Sequence, residues 1–166
     1  MNRSYTHRGA GWHLKPGEGE GWWFLGSFMR FVATGESTSG SFALIDEVAG
    51  PGRASPPHIH HREDELFEIL EGEVTFTCGE ETHVAGPESF VFLPRDVVHN
   101  FRVSSDTPAR MLLWISPAGL EGFFKGMGVP GDIGAPPLPS SPDIEKLLAL
   151  GREYHVEHPT LEATPR

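Results

Sequence analysis

His58 and His60 are separated by one residue, and in an extended strand residues two apart share a face. Both imidazoles then point the same way and can reach one metal ion at about 2.0–2.2 Å. Glu65 lies five residues on, where the next strand begins after a short turn, and can return to the same pocket. Pro56 and Pro57 stiffen the approach and limit the entropy lost when these donors are fixed. A fourth donor is expected from a distant strand: His99 follows the turn at Pro94-Arg95-Asp96 and heads the run His99–Val103. Three neutral imidazoles and one carboxylate suit one divalent first-row ion (Fe, Mn, Co, Ni, Cu or Zn) and not Mg or Ca, which prefer oxygen. Four donors leave one or two positions free on a five- or six-coordinate ion, and an open position is what a catalytic centre needs.

Such donors must be held by short strands, and the chain supplies them. Ser27–Thr34, Gly40–Val48, Leu66–Leu70, Glu73–Cys78, Phe90–Leu93, His99–Val103 and Arg110–Ser116 are β-rich and bounded by Gly, Pro, Asp or Ser. Regularly spaced short strands with turn signals read as a sandwich or barrel, and no fixed-period repeat is present. Before them, residues 1–25 are Gly-rich and aromatic, an arm expected to lie over the body of the domain because exposed tryptophans would be adhesive. After Pro117, Leu120, Phe123, Phe124 and Met127 recur at helical spacing, and Gly128-Val129-Pro130-Gly131 stops that helix. A Pro-rich stretch then leads to a second helix with Ser141 as N-cap and Pro142 at its first turn, striped by Ile144, Leu147 and Leu148. Both helices are expected outside the barrel, and His158–Arg166 are expected to fray. The organisation is thus 1–25 arm, 26–117 barrel and 118–166 helical tail.

Composition restricts the function classes. Twenty glycines and fifteen prolines in 166 residues point to many turns and against a helix bundle. A net charge of −10 repels phosphate backbones and anionic lipid, so no nucleic acid and no membrane is expected as a partner. No apolar run approaches the roughly 18 residues of a membrane helix, and Met1–Pro16 has no apolar signal core. The single cysteine, Cys78, excludes an internal disulfide and a thiolate-rich metal site. A cytoplasmic protein acting on a small molecule is expected.

The histidine segment matches the first motif of the cupins, G-x5-H-x-H-x4-E-x6-G, at every position: Gly52, His58, His60, Glu65 and Gly72. The later segment resembles the second motif, P-x-G-x2-H, through Pro94 and His99. Asp96 stands where that motif has Gly, Glu88 where its leading Gly falls, and Val103 where Asn is common. Asp tolerates positive φ better than most residues, so the turn can survive; alternatively Gly86 takes the leading role with a longer loop. From about Gly21 through Gly128 the chain resembles small single-domain cupins of the quercetin 2,3-dioxygenase-like group. That resemblance implies an all-β double-stranded β-helix, or jelly-roll, barrel and His58, His60, Glu65 and His99 as metal ligands. It also implies a homodimer, with the aromatic arm as a natural element to lay across a partner's sheet.

By the same similarity the activity is that of a metal-dependent dioxygenase on a small organic, aromatic or flavonol-like substrate. The alternatives are a non-catalytic metal-containing binding protein and a cupin isomerase or decarboxylase, because the same ligands serve all three. In the dioxygenase reading Glu65 is the catalytic residue: a ligand at rest, and a general base for the substrate hydroxyl when it leaves the metal. Met29, Phe42, Leu44, Phe67 and Phe101 are the candidate pocket walls, and core packing is the default for most of Phe67, Phe90, Phe92, Phe101 and Trp114. Of the remaining polar residues, His61, Glu63, Asp64, Glu68 and Glu71 read as solvated surface, and His7, His13, His83, His155 and His158 as structural or surface.

Overall fold

The structure, a computed structural model, describes residues 11–162. The expectations for His7 and for the chain beyond Glu162 lie outside the described residues. In chain order the strands are β1 Glu20–Phe24, β2 Ser27–Ala33, β3 Ala43–Ala49, β4 Ile59–His60, β5 Asp64–Glu71 and β6 Val74–Cys78. They continue as β7 Glu81–Ala85, β8 Phe90–Leu93, β9 His99–Val103, β10 Ala109–Ser116, β11 Val129–Pro130 and β12 Val156–Glu157. Helices α1 Gly35–Thr38, α2 Glu121–Met127, α3 Ile144–Tyr154 and α4 Pro159–Glu162 complete the set. Every strand expected from the alternation is present. In addition Glu20–Phe24, inside the expected arm, pairs with β2 as a strand of the large sheet.

Two antiparallel sheets, ordered β11-β1-β2-β3-β10-β5-β8 and β7-β6-β9, close on one another. Between them Ile45, Ile69, Phe76, Met111 and Ile115 are fully buried, and the Phe67 ring of the first sheet packs against Phe76 of the second, centroids 5.0 Å apart and planes tilted by 53°. This is an all-β jelly-roll barrel with α2 and α3 packed outside the sheets. The connection from β5 to β6 turns at Gly72 with φ +78°, where a Cβ would meet the Ala109 backbone at 2.8 Å. A side chain at that position would therefore push β10 away from its neighbour β5.

Several outer-face assignments are corrected. Phe90, Phe92 and Trp114 are 63%, 58% and 42% exposed, because Val91, Leu93, Leu113 and Ile115 take the inward positions of their strands. Helix α3 is capped by Asp143, not Ser141: the Asp143 carboxylate accepts a hydrogen bond from the Lys146 backbone N–H at 2.9 Å. The chain after it does not fray at His158, which is 3% exposed, since β12 pairs Val156 with His60. Glu63, expected on the surface, is buried.

Asp46 is a buried carboxylate on the outer side of β3, bonded by both Arg30 and Arg110. Burial alone would raise its pKa; Arg110 and Arg30 outweigh that and hold it below the usual range. The Arg110 guanidinium is bidentate on this aspartate, with Nε 2.9 Å from Oδ1 and an Nη 2.9 Å from Oδ2. Asp46→Ala is expected to destabilise the fold by about 2 kcal/mol, below the range for fully buried pairs because both arginines are partly solvated. A urea midpoint for the variant equal to wild type would contradict this.

Candidate metal centre

The extended segment ending in β4 carries His58 and His60 on the barrel wall. His58 is tied to the head of β9 by a reciprocal backbone pair with His99, both bonds 2.9 Å. Glu65 enters from the start of β5, opposite Leu93 of β8 and Ile115 of β10. The turn before His99 keeps the geometry a glycine would give: Asp96 has φ +63° and Glu88 φ +67°. Gly86 has no positive φ, so the leading turn is Glu88's and the longer-loop alternative falls. The Asp96 backbone N–H also donates to the His60 carbonyl at 2.8 Å, locking the two motif segments together.

His58, His60, Glu65 and His99 present ligand atoms all within 4.8 Å of one another. The imidazole centroids are 4.8 Å (His58–His60), 4.5 Å (His58–His99) and 5.2 Å (His60–His99) apart. Nδ1 of His58 meets the Pro56 carbonyl and Nδ1 of His99 the Val97 carbonyl, each at 2.8 Å. A carbonyl only accepts, so each Nδ1 carries the proton and each Nε2 keeps a lone pair. The His99 Nε2 is buried with no hydrogen-bond partner and lies 3.3 Å from Glu65 Oε2. The His60 Nε2 lies 3.6 Å from Glu65 Oε1.

Acceptors gathered this closely repel one another in a dry site unless a cation lies between them. Burial pushes the His58 and His60 imidazoles down to about 3 and about 4, which keeps their lone pairs free at neutral pH. Burial on its own would raise the Glu65 carboxyl, but the neighbouring imidazoles hold it low. A neutral-nitrogen, anionic-oxygen donor set of this kind fits a divalent transition ion, and these residues could hold one.

The four donors open into an apolar chamber of about 50 Å³. A chamber of that size takes about three or four waters or one small chemical group. Met29, Phe67 and Phe101 line it. Phe42 and Leu44 do not: β3 turns Ala43 and Ile45 inward, and Phe42 stacks on Trp114 outside at 4.4 Å. The outer helices border the chamber, α2 through Phe123 and Phe124 and α3 through Leu147. His158 also lines it, stacked 6.0 Å from His58, a role its sequence position gave no sign of. His61, as expected, is exposed, and it pairs with Asp96 at 2.8 Å and Glu157 at 3.2 Å. A larger groove of about 1020 Å³ runs outside, under Pro136–Pro142, and shares Leu25, Arg53, Pro56 and Leu147 with the chamber.

Glu47, on the inward face of β3, is the chamber residue that the motif reading missed. The signal was available: Ala43, Ile45, Glu47 and Ala49 share one face, and a carboxylate among them breaks the apolar alternation. Burial pushes Glu47 up to about 7; Glu65 adds to the rise, while Ser27 and Arg53 oppose it. Because the folded value lies above the ordinary 4.5, this group stabilises the fold least at high pH. Its contribution falls by about 3 kcal/mol as pH rises from 4.5 through 7. Between pH 5 and pH 8, urea unfolding of metal-free protein is expected to show wild type losing about 2–3 kcal/mol relative to Glu47→Gln, a comparison in which the opposing rise from the buried imidazoles cancels; a wild-type-to-variant difference that does not change with pH would contradict it.

Residues 46–116 match the cupin domain family. The chain is also 30% identical over 93 residues to the uncharacterised protein SCO3923 of Streptomyces coelicolor, covering 55% of this chain and 81% of that one. The chain belongs to the cupin family. Against quercetin 2,3-dioxygenase of Bacillus subtilis strain 168, this cupin is 30% identical over 118 residues, 70% of its own length and 34% of that protein's. It therefore spans about a third of the length of that relative. A crystal structure of a predicted oxalate decarboxylase from Thermotoga maritima superimposes with a TM-score of 0.53 at 20% identity, covering 55% of this cupin and 80% of that chain. At that identity the match is one of fold. No helix of the described residues is long and apolar enough to cross a membrane.

Proposed function

We propose that this cupin is a metal-dependent enzyme acting on a small hydroxylated organic molecule, and that the reaction is a dioxygenation. The observation that carries the reading is the convergence of His58, His60, Glu65 and His99 at the base of an apolar chamber. The similarity to a quercetin 2,3-dioxygenase over 70% of the chain supports the reaction class. A divalent transition ion held by these four residues would supply Lewis acidity and a free coordination position.

The chain's own groups do the rest. The Pro56 and Val97 carbonyls fix the rings of His58 and His99 with Nε2 directed at the centre. Glu65 takes the substrate hydroxyl proton onto its carboxylate oxygen. Phe67, Phe101, Phe123 and Phe124 exclude bulk water, so that proton is not lost to solvent. The chamber admits one small end of the substrate, with the remainder in the outer groove or behind a displaced Phe123–Phe124 cap.

The test is oxygen uptake by metal-quantified protein offered catechol and a flavonol. Uptake that scales with bound metal and yields an oxygenated product is expected. Conversion without oxygen consumption would instead establish an isomerase or decarboxylase, and binding without turnover a binding protein.

We further propose a homodimer in the cytoplasm. With Glu20–Phe24 committed to the chain's own sheet, the outer stripe of Leu66, Phe90, Phe92 and Trp114 across β5, β8 and β10 is the apolar surface that favours self-association. Light scattering is expected to give twice the chain mass, and the monomer mass for the double variant Phe92→Glu/Trp114→Glu. A monomeric wild type would remove this part.

A further inference from the structure

We propose that Glu47 and Arg53 are ligand-contacting residues, a polar pair in the chamber wall that recognises an oxygen-bearing group of the ligand. This rests on the reading of the chamber as a small-molecule site and adds residues outside the metal-ligand set.

Glu47 is 1% exposed, lines the chamber, and has an Oε1 with no hydrogen-bond partner. Its cross-strand neighbours on β2 and β10 are Met29 and Met111, so an apolar side chain would pack where the carboxyl stands. Arg53 lines both the chamber and the outer groove, and its Nε is likewise buried and unbonded. Its guanidinium lies 5.8 Å from the Phe101 ring centroid, beside which a flat ligand can slide.

A buried donor and a buried carboxyl left open on one wall each cost stability. No hydrogen bond in the fold takes up Glu47 Oε1 or Arg53 Nε, and a ligand satisfies both at once. A ligand oxygen accepts from Arg53 Nε–H, while a ligand hydroxyl bonds to Glu47, whose carboxyl burial brings near neutrality so that it can accept or donate. The matching class is an uncharged or weakly acidic molecule with adjacent hydroxyl or carbonyl oxygens on a flat frame.

The test uses full-length protein loaded with zinc, which does not turn over oxygen, and catechol as the probe. Calorimetry and elemental analysis are run on wild type, Glu47→Met, Glu47→Gln and Arg53→Met. Zinc stoichiometry should stay constant. Catechol affinity should fall roughly tenfold or more in Glu47→Met and Arg53→Met and by about threefold or less in Glu47→Gln. Circular dichroism should show all three variants folded, since Glu47→Met removes a buried carboxyl but also the countercharge of Arg53. The assignment is overturned if folded Glu47→Met and Arg53→Met bind catechol like wild type, or if zinc-loaded wild type does not bind catechol at millimolar concentration. Catechol binding with the expected variant pattern but no oxygen uptake by the iron- or manganese-loaded protein would sink the dioxygenase reading and leave this assignment standing.

Discussion

Replacing His60 by alanine is expected to leave a folded protein that no longer retains metal through dialysis. His60 is 2% exposed and faces Glu65 within the four-donor cluster. Removing an outer-shell partner of a metal ligand typically costs 10- to 100-fold in affinity, and removing a ligand itself should cost on the order of a thousandfold. The loss reads out twice. Elemental analysis should fall from one ion per chain to background. The thermal midpoint should also stop rising with added metal, whereas saturating wild type at a thousand times its dissociation constant adds about 4 kcal/mol. His61→Ala is the matched control: His61 lies next in sequence but points outward to Asp96 and Glu157, so it should bind metal as wild type does. A His60→Ala protein with full metal content would mean that the ion sits elsewhere.

Glu65→Gln separates holding the ion from moving the proton. The amide keeps an oxygen donor in the same place, so metal should remain bound by the three imidazoles, more weakly by roughly 10- to 100-fold. It cannot take up the substrate hydroxyl proton, and turnover at saturating metal should drop by about 10²–10⁴-fold. The neighbouring carboxyl of Glu47 is poor insurance: burial keeps it far more basic than Glu65, but it lies outside the ligand cluster. Rates for Glu65→Gln equal to wild type, with metal content matched, would show that the base is another group.

The four donors were legible in the sequence because their placement depends on two local rules. Strand parity puts His58 and His60 on one face, and a turn before each strand returns Glu65 and His99 to the same end of the barrel. Even the departures from the motif obeyed the backbone rule, since Asp96 and Glu88 adopt the positive φ of the glycines they replace.

Parity, however, names two faces without saying which is inside. That is why Phe42 and Leu44 were placed in the pocket and Phe90, Phe92 and Trp114 in the core. The inward positions of those strands belong instead to smaller neighbours such as Ala43, Ile45, Val91 and Ile115. Strand β7 carried no alternation to read, with four of its five residues exposed at the sheet edge. His158 reached the chamber through the two-residue pairing of β12 with β4, a contact across about a hundred positions that no local pattern encodes. Glu47 was visible as a charge in an apolar alternation, and only the closed barrel shows that it faces the chamber.

Anomalous diffraction from crystals of the protein, collected above the absorption edge of the metal it carries or is soaked with, tests the centre most directly. The expected result is one strong peak about 2.0–2.3 Å from the Nε2 atoms of His58, His60 and His99 and from one carboxylate oxygen of Glu65. A map with no peak there, or with the ion bound by other side chains while these four stand unligated, would contradict it.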